Sequence, residues 1–271
     1  SMTLERRLAD LRAQLTAAQR LRSTDDHATD RVAFAYALGL DLDPWQAELL
    51  QSDSKRDILN CSRQAGKSTV AALLALHEAL YQPSSVTVLI SPSQRQSSEL
   101  FRKVVDLRNL LPTPPPLLED NRLSMNVAGG GRVLSLPGSE ATIRGVSAVT
   151  LLIEDEAARV DDALYQAIRP MLAVKNGRLI LASTPWGKRG HYWEVWDKGQ
   201  GWEKTRVPAD EVPRISTAFL AQEQRELPAH VYRQEYMCDF AESTEAVFAY
   251  EHVMAALRDD VLPLFGGQHA T

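Results

Sequence analysis

Leucine recurs at helical spacing near the start of the chain. Leu4, Leu8, Leu11 and Leu15 are separated by four, three and four residues, and charged side chains stand between them. This pattern predicts an amphipathic helix over residues 3–22 with a narrow apolar stripe. Such a helix packs on the surface of its own domain or binds a partner, and two heptads do not decide between these interpretations.

From residue 31 onward, short apolar runs alternate with helical patterns. The apolar runs predict strands at residues 57–60, 86–90, 150–153 and 178–182, and a glycine-rich segment predicts a hairpin within 127–144. Helical periodicity predicts helices at residues 32–38, from 44 onward, at 67–81, 93–110 and 164–171, and within 216–240. Because strands that alternate with helices form βαβ units, we predict an α/β fold with a mainly parallel central sheet flanked by helices.

Composition and charge exclude several classes of protein. The chain has 271 residues, of which 44% are hydrophobic and 24% charged, as expected of one large globular domain with room for a smaller appendage. Cys61 and Cys238 form no CxxC pair, which argues against a structural zinc and a disulfide framework. We find no apolar run that could span a bilayer and no signal-peptide core, so we expect no membrane association and a reducing cytoplasm.

The formal net charge is −5, from 30 Lys and Arg against 35 Asp and Glu. Proteins that bind nucleic acid non-specifically are usually basic. A nucleic-acid surface on this chain is therefore expected to be a local patch, or to be completed by other subunits.

A candidate phosphate loop follows the first predicted strand. Gly66-Lys67-Ser68-Thr69 stands between strand 57–60 and helix 67–81, the strand–loop–helix context of a P-loop. Backbone N–H groups and the helix dipole favour phosphate there, Lys67 would reach the β- and γ-phosphates, and the Ser68 hydroxyl would ligate Mg²⁺. Cys61 replaces the first glycine of the usual pattern, and an ordinary helix start is the alternative interpretation. We predict ATP binding by Ser62, Arg63, Gln64, Ala65, Gly66, Lys67, Ser68 and Thr69.

An apolar run that ends in acids is the second candidate motif. Residues 149–153 lead into Glu154-Asp155-Glu156, the arrangement of a Walker B strand. Since neighbouring residues of a strand point to opposite faces, these acids can take different roles. We predict that Asp155 holds Mg²⁺, that Glu156 polarises the attacking water, and that Glu154 has a structural or supporting role. The alternative interpretation is that these acids only interact favourably with the dipole at a helix N-terminus.

Two arginines are candidate catalytic residues. A positioned arginine stabilises the charge that spreads over a transferring γ-phosphoryl group. Arg63 lies inside the loop, and Arg144 lies in Ile143-Arg144-Gly145, just before the Walker B strand. Either is otherwise an ordinary surface arginine.

Two further pairs are candidates for contact with a nucleotide. Trp45 and Gln46 begin a predicted helix, and a glutamine amide suits the edge of adenine, whereas the tryptophan is also typical of a core position. Ser183 and Thr184 end strand 178–182, where small hydroxyls can sense the γ-phosphate and couple its loss to the rest of the protein. A plain strand-ending turn is the alternative interpretation of the second pair.

Taken together, these motifs resemble the large terminase subunit of tailed double-stranded DNA bacteriophages, the motor that packages viral genomes. The family's deviant Walker A, Ser-Arg-Gln-x-Gly-Lys-[Ser/Thr], is similar to residues 62–68 and accounts for the missing first glycine. The other matches, in family order, are Pro-Trp-Gln at 44–46, Ile-Arg-Gly at 143–145, the apolar run with Asp155-Glu156, Ala-Ser-Thr-Pro at 182–185 and the segment 232–240. The resemblance covers about residues 42–240.

The resemblance implies a P-loop NTPase of the additional-strand, conserved-glutamate type with a small lid subdomain. We expect an N-terminal helix and loop at 1–30, the ATPase core at 31–190, the lid at 191–245, and a linker at 246–271 toward a nuclease domain. A nuclease fold of roughly a hundred or more residues does not fit after residue 240, so we expect no cleavage activity of this chain.

The resemblance also implies cofactors and partners. ATP and Mg²⁺ would drive translocation of double-stranded DNA into a procapsid in the host cytoplasm, with the portal protein and the small terminase subunit as partners. Subunits would form a homo-oligomeric ring on the procapsid, whereas the isolated chain is expected to be monomeric. Arg144 would enter a neighbour's site in trans, and Arg63 would act in cis. A helicase-like translocase and a nucleotide-switched assembly or DNA-binding module are the alternative functions.

Overall fold

The computed structural model describes residues 26–137 and 145–241. The predicted N-terminal helix, the arginine at position 144 and the predicted linker therefore lie outside the described residues. Within the described ranges, no helix is both long and apolar enough to cross a membrane.

One mixed sheet of eight strands forms the centre of the described chain. In chain order the strands are β1 Arg56–Cys61, β2 Val86–Ser91, β3 Leu117–Asp120, β4 Ser124–Val127, β5 Arg132–Pro137, β6 Leu151–Asp155, β7 Arg178–Ser183 and β8 Glu203–Val207. Their order across the sheet is β3-β4-β5-β2-β6-β7-β1-β8. Strand β4 is antiparallel to both of its neighbours, and the remaining pairings are parallel. The predicted α/β fold with a mainly parallel sheet is confirmed.

Helices cover both faces of the sheet. In chain order they are α1 Arg31–Ala37, α2 Pro44–Gln51, α3 Lys67–Tyr81, α4 Gln94–Asn109, α5 Asp162–Ile168, α6 Gly190–Lys198, α7 Thr217–Glu226 and α8 Ala229–Glu235. One hydrophobic cluster joins α1 to α4 to the sheet, and a second joins α5 and α6 to the opposite face. Successive residues of β6 belong to different clusters, Leu151 and Ile153 to the first and Leu152 to the second. Burial on both faces explains why the central strands are continuously apolar.

Most predicted elements are present with small shifts at their ends. Helix α3 begins and ends at the predicted residues. A hairpin of β4 and β5 is present around a turn at residues 128–131, but it lies earlier than predicted, because β4 precedes the range 127–144 except for its last residue. Two further strands, β3 and β8, were missed entirely. Strand β3 extends the sheet at one edge, and β8 pairs with β1 at the other. Because β8 lies beyond residue 190, the predicted lid segment supplies a strand of the central sheet, while the division into core and lid stays a prediction.

Candidate active site

The loop between β1 and α3 presents backbone N–H groups to one end of the sheet. Gln64 and Gly66 adopt left-handed backbone conformations, with φ of 60° and 95°. Among the described residues, the N–H groups of residues 64–68 find no acceptor. Unpaired N–H groups that converge at the N-terminus of a helix favour an anion, because their partial charges and the helix dipole add. The sequence therefore folds here into a cradle that suits phosphate.

Lys67 is buried and connects the loop to the end of β7. Its Nζ donates hydrogen bonds to Thr184 Oγ1 at 3.1 Å and to the Ser62 carbonyl oxygen at 3.2 Å. The neighbouring Ser183 is also buried, and its Oγ donates to the Thr184 carbonyl oxygen at 2.8 Å. The structure thus brings the predicted phosphate-binding lysine and the predicted coupling pair into one hydrogen-bonded cluster.

Asp155 ends β6 and lies beside the first turn of α3. Ser68 Oγ donates to Asp155 Oδ2 at 3.5 Å, and Asp155 Oδ1 is buried with no hydrogen-bond partner in the described part of the chain. Burial raises the pKa of Asp155 to about 6. A buried carboxylate oxygen without a partner, next to a hydroxyl, is the oxygen-rich environment that Mg²⁺ prefers. These two residues fit the metal role predicted for them.

Glu156 follows directly after the last residue of β6. Its backbone has a φ of 54°, an uncommon left-handed conformation for a residue that is not glycine. Arg159 Nη1 donates to Glu156 Oε2 at 3.3 Å, and the Arg159 guanidinium lies 4.4 Å from the centroid of the Trp186 ring. A cation therefore stands next to the predicted catalytic acid, at a position that the sequence did not single out. Its spacing of three residues from the acid was the available signal.

The loop, β6 and β7 enclose a cleft of about 480 Å³. Its walls include the predicted residues Arg63, Gln64, Ala65, Gly66, Lys67, Ser68, Thr69, Glu156 and Thr184. Four polar residues that the sequence did not suggest also line it: Gln96, Lys103, Arg159 and Arg214. Gln96 and Lys103 come from α4, and Arg214 precedes α7, so only the folded chain brings them to the loop. Cations lie on several sides of the cleft, which suits a polyphosphate.

Arg63 lines the cleft but pairs with a late segment of the chain. Its guanidinium forms an ion pair with Glu235 of α8, and its backbone N–H donates to the Glu235 carbonyl oxygen at 3.2 Å. The hydrogen bond with Glu235 raises the pKa of Arg63. The other candidate arginine, at position 144, lies outside the described residues.

Gln46 is one of the residues that line a smaller cavity, called the hollow below, beside the loop. This hollow has a volume of about 150 Å³, and it is lined by Leu40, Asp41, Leu42, Gln46, Gly66, Thr69, Val70, Leu73 and Arg214. Trp45 is instead buried in the core and lines neither cavity, and the Ser62 side chain is also fully buried. The predicted contact of these two residues with ATP stays a prediction, and in the structure the helical turn of α2 aims Trp45 inward while the end of β1 buries the Ser62 side chain. Ser62 still contributes its carbonyl oxygen to Lys67.

Glu154 lies on the opposite face of the sheet from the cleft. It is fully buried, and its Oε1 lies 2.9 Å from His191 Nε2 of α6. His191 Nδ1 lies 3.0 Å from Asp162 Oδ1, and the Tyr165 ring stacks on the imidazole at 4.2 Å. Burial lowers the pKa of His191, but its hydrogen bonds and charge interactions with Glu154 and Asp162 raise it by more. Burial raises the pKa of Glu154, and the cluster of hydrogen bonds joins β6, α5 and α6.

The order of the strands identifies the class of protein. The phosphate-loop strand β1 and the acid-tipped strand β6 are separated by β7. A sheet with one strand inserted between these two, and a glutamate after the strand-ending aspartate, is that of an additional-strand, conserved-glutamate P-loop NTPase. The fold and the residues of the cleft therefore define this class.

Comparison with known proteins identifies the family within that class. The chain belongs to the family described as terminase large subunit, T4likevirus-type, N-terminal, whose model matches residues 58–253. It is 27% identical over 240 residues to the large terminase subunits of Thermus phage G20c and of Thermus virus P23-45. Each alignment covers 75% of this chain and 50% of the relative, so the chain spans about half the length of these relatives.

Solved structures agree with this assignment at the level of the fold. The large terminase ATPase domain of Thermus phage P74-26 superposes with a TM-score of 0.69 at 22% identity, over 78% of this chain and 98% of that one. The HK97 bacteriophage large terminase gives a TM-score of 0.62 at 18% identity, over 74% and 51%. The large terminase of a thermophilic bacteriophage, in complex with ATP-gamma-S, gives 0.60 at 14% identity, over 74% and 53%.

Proposed function

We propose that this chain is the Mg²⁺-dependent ATPase motor domain of a DNA-packaging terminase. The observation that carries the proposal is the meeting of two distant motifs. Ser68 at the start of α3 lies 3.5 Å from Asp155 at the end of β6, 87 positions away in the chain. Lys67 and Glu156 line the same cleft from these two motifs. A phosphate cradle, a metal-binding pair and a candidate base are therefore available at one site.

ATP would bind with its phosphates in the cleft and its base in the hollow. The N–H groups of residues 64–68 and the ammonium of Lys67 would hold the phosphate oxygens. Leu40 and Leu42 give the hollow apolar walls that suit the faces of a purine. The Gln46 amide keeps one N–H and one oxygen lone pair for the edge of adenine. The complexes of the thermophilic bacteriophage large terminase with ADP and with ATP-gamma-S support nucleotide binding in this fold.

Ser68 and Asp155 would hold Mg²⁺, which supplies charge neutralisation on the β- and γ-phosphate oxygens. Glu156 would orient a water molecule in line with the γ-phosphorus and accept its proton through a carboxylate oxygen. Lys67 would shift its hydrogen bonds between phosphate and Thr184 Oγ1, since the same ammonium already contacts that hydroxyl. Loss of the γ-phosphate would in this way change the hydrogen bonds at the end of β7.

The wider role follows from the family rather than from the cleft. We propose that hydrolysis drives double-stranded DNA into a procapsid in the host cytoplasm, with the portal protein and the small terminase subunit as partners. A homo-oligomeric ring would allow Arg144 of one subunit to complete the site of the next. Family membership over residues 58–253 supports this larger assignment.

Steady-state phosphate release by the purified chain tests the ATPase proposal. Lys67→Ala is expected to weaken ATP binding by about 10- to 100-fold, because it removes a charged hydrogen bond to phosphate. Glu156→Ala is expected to bind ATP with unchanged affinity while kcat falls by about 10²- to 10⁴-fold. Lys175→Ala and Glu194→Ala, at exposed positions, are the matched controls. Near wild-type turnover by Glu156→Ala would exclude the proposed mechanism. Binding without turnover by the wild-type protein, at concentrations that favour assembly, would favour a nucleotide-switched module.

A further inference from the structure

Arg214 brings the segment before α7 against the phosphate loop. Its Nη1 donates to Asp43 Oδ1 at 2.6 Å and its Nη2 to Asp43 Oδ2 at 2.7 Å. Nη2 also donates to the Ala65 carbonyl oxygen at 3.2 Å, across 149 positions of the chain. The planar guanidinium thus holds a carboxylate with two parallel hydrogen bonds and the loop with a third. Such bidentate pairs fix orientation as well as contributing energy.

Asp43 connects Arg214 to Gln46 through hydrogen bonds. The Asp43 side chain is only 6% exposed, and the arginine is the partner that compensates the cost of burying its carboxylate. Asp43 precedes α2, and its backbone N–H donates to Gln46 Oε1 at 3.0 Å. Gln46 Nε2 donates to the Gly66 carbonyl oxygen at 3.4 Å. Arg214, Asp43, Gln46 and the loop therefore form a closed ring of hydrogen bonds that sets the direction of the Gln46 amide.

The orientation of that amide matters for the choice of base. Adenine presents an acceptor at N7 beside a donor at N6, whereas guanine presents acceptors at both N7 and O6. A glutamine amide held with its N–H and its oxygen side by side can donate to N7 of adenine and accept from N6. With guanine, the amide oxygen would instead face O6, which is also an acceptor. Arg214 lines both the phosphate cleft and the base hollow, so it lies where the two parts of a nucleotide would join.

We propose that Arg214 is a positioning residue for base selection, which makes the site prefer adenine to guanine nucleotides by fixing Asp43 and, through it, Gln46. The inference rests on the proposed function, because it assigns the hollow to the base of the nucleotide. It adds a determinant of specificity from the segment after β8, which the sequence motifs do not contain. Lysine cannot replace arginine here, since an ammonium cannot grip both carboxylate oxygens in one plane.

The test compares ATP with GTP in the wild-type protein, Arg214→Lys and Arg214→Ala. We expect Arg214→Ala to raise KM for ATP by about tenfold while kcat changes by less than about threefold, because ground-state binding is lost. The ratio of kcat/KM for ATP to that for GTP is expected to fall by about tenfold, and in Arg214→Lys by a smaller factor in the same direction. Arg225→Ala, an exposed arginine on α7, is the matched control. Calorimetric titration with ADP and GDP gives the same comparison without turnover.

Each outcome bears on the inference. An equal loss of ATP and GTP binding in both variants would mean that Arg214 serves the phosphates alone, and would overturn it. If Arg214→Ala does not fold, as judged by circular dichroism, the ratio in Arg214→Lys decides, and a wild-type ratio there overturns the inference. Adding Asp43→Asn to Arg214→Ala is expected to lower the ratio no further, since both changes break the same ring. A wild-type protein that binds and hydrolyses neither nucleotide would instead refute the proposed function.

Discussion

Burial of the Asp155 carboxylate lowers the stability of the protein in the absence of metal. Its pKa is raised from 3.8 to about 6 because burial disfavours the ionised form. The folded state therefore holds this proton more tightly than the unfolded state does. The stabilisation is present below about pH 4 and is lost as the pH rises through about 6, so the free energy of unfolding falls over that interval.

Replacing Asp155 by asparagine is expected to stabilise the metal-free protein at pH 8. The amide keeps the shape without the buried charge, and a shift of this size corresponds to roughly 2 to 3 kcal/mol at pH 8 and much less at pH 4.5. Thermal unfolding in EDTA at the two pH values measures the difference, with the exposed Asp210→Asn as control. A lower melting temperature of Asp155→Asn at pH 8 would contradict this account. The same variant is expected to lose Mg²⁺-dependent hydrolysis.

Gly66 is required by both its backbone and its surroundings. Its φ is +95°, and a Cβ there would lie 2.5 Å from Gln46 Nε2. We expect Gly66→Ala to reduce ATP affinity by more than about tenfold, because the methyl group displaces the glutamine and strains the loop. Gly39→Ala is the matched control, since Gly39 has a φ of +76° with nothing within 4 Å of its Cβ position. The Gly39→Ala variant has the backbone strain without the steric clash, so its affinity for ATP should be unchanged in a binding titration.

Helix α6 is fastened to the central strands by polar contacts. His191 in its first turn meets Glu154 of β6, and the adjacent Tyr192 hydroxyl donates to the Leu59 carbonyl oxygen of β1 at 2.8 Å. The same hydroxyl also donates to the Ser183 carbonyl oxygen of β7 at 3.3 Å. One helix end is thus connected to all three strands that lead to the cleft.

A double-mutant cycle measures the strength of this connection. His191→Ala is expected to destabilise the protein by about 3 to 5 kcal/mol, because it leaves the buried Glu154 carboxyl group without its partner. Glu154→Gln combined with His191→Ala should be less destabilising than the sum of the single changes. Denaturant unfolding gives the four free energies, and the exposed His230→Ala is the control. Strict additivity would show that the two side chains do not interact.

The elements that the sequence predicted well are those whose pattern is set by burial on both faces. Strand β6 is a continuous apolar run because helices cover both sides of it. Strand β8, with the sequence Glu-Lys-Thr-Arg-Val, is largely exposed at a sheet edge and has no apolar pattern to detect. The same reasoning applies to β3, which is exposed along most of its length. Pairing with the sheet, rather than local sequence, makes these two segments strands.

The residues of the site also fall into those that local sequence predicts and those that only tertiary packing brings there. Lys67 and Glu156 stand in local motifs, so their residue types and spacing were sufficient to predict them. Arg214 and Lys103 reach the cleft only through the packing of the segment before α7 and of α4 against the core, and no local pattern marks them. Tertiary packing buries Trp45, in line with the core position that the sequence also allowed, and its predicted contact with the nucleotide stays a prediction.

At the scale of the whole molecule, we expect hydrolysis to depend on assembly. If Arg144 acts in trans, the dilute protein should hydrolyse ATP poorly, and loss of the arginine should cost several kcal/mol of transition-state stabilisation. Mixing Arg144→Ala with Glu156→Ala protein at high concentration should restore activity that neither variant shows alone. Activity per subunit that stays constant on dilution, with no recovery on mixing, would mean that Arg144 acts in cis or is structural, and Arg63 would become the better candidate for the catalytic arginine.

The pairing of β1 has a consequence for the order of events during synthesis. The strand that carries the phosphate loop is held by β7 and β8, and the Asn60 amide donates to the Cys238 carbonyl oxygen at 2.9 Å. A ribosome adds about 5 to 20 residues per second, so the loop leaves the exit tunnel roughly 6 to 35 seconds before these partners do. The nascent chain should therefore acquire affinity for ATP late and abruptly, when the residues around 238 emerge.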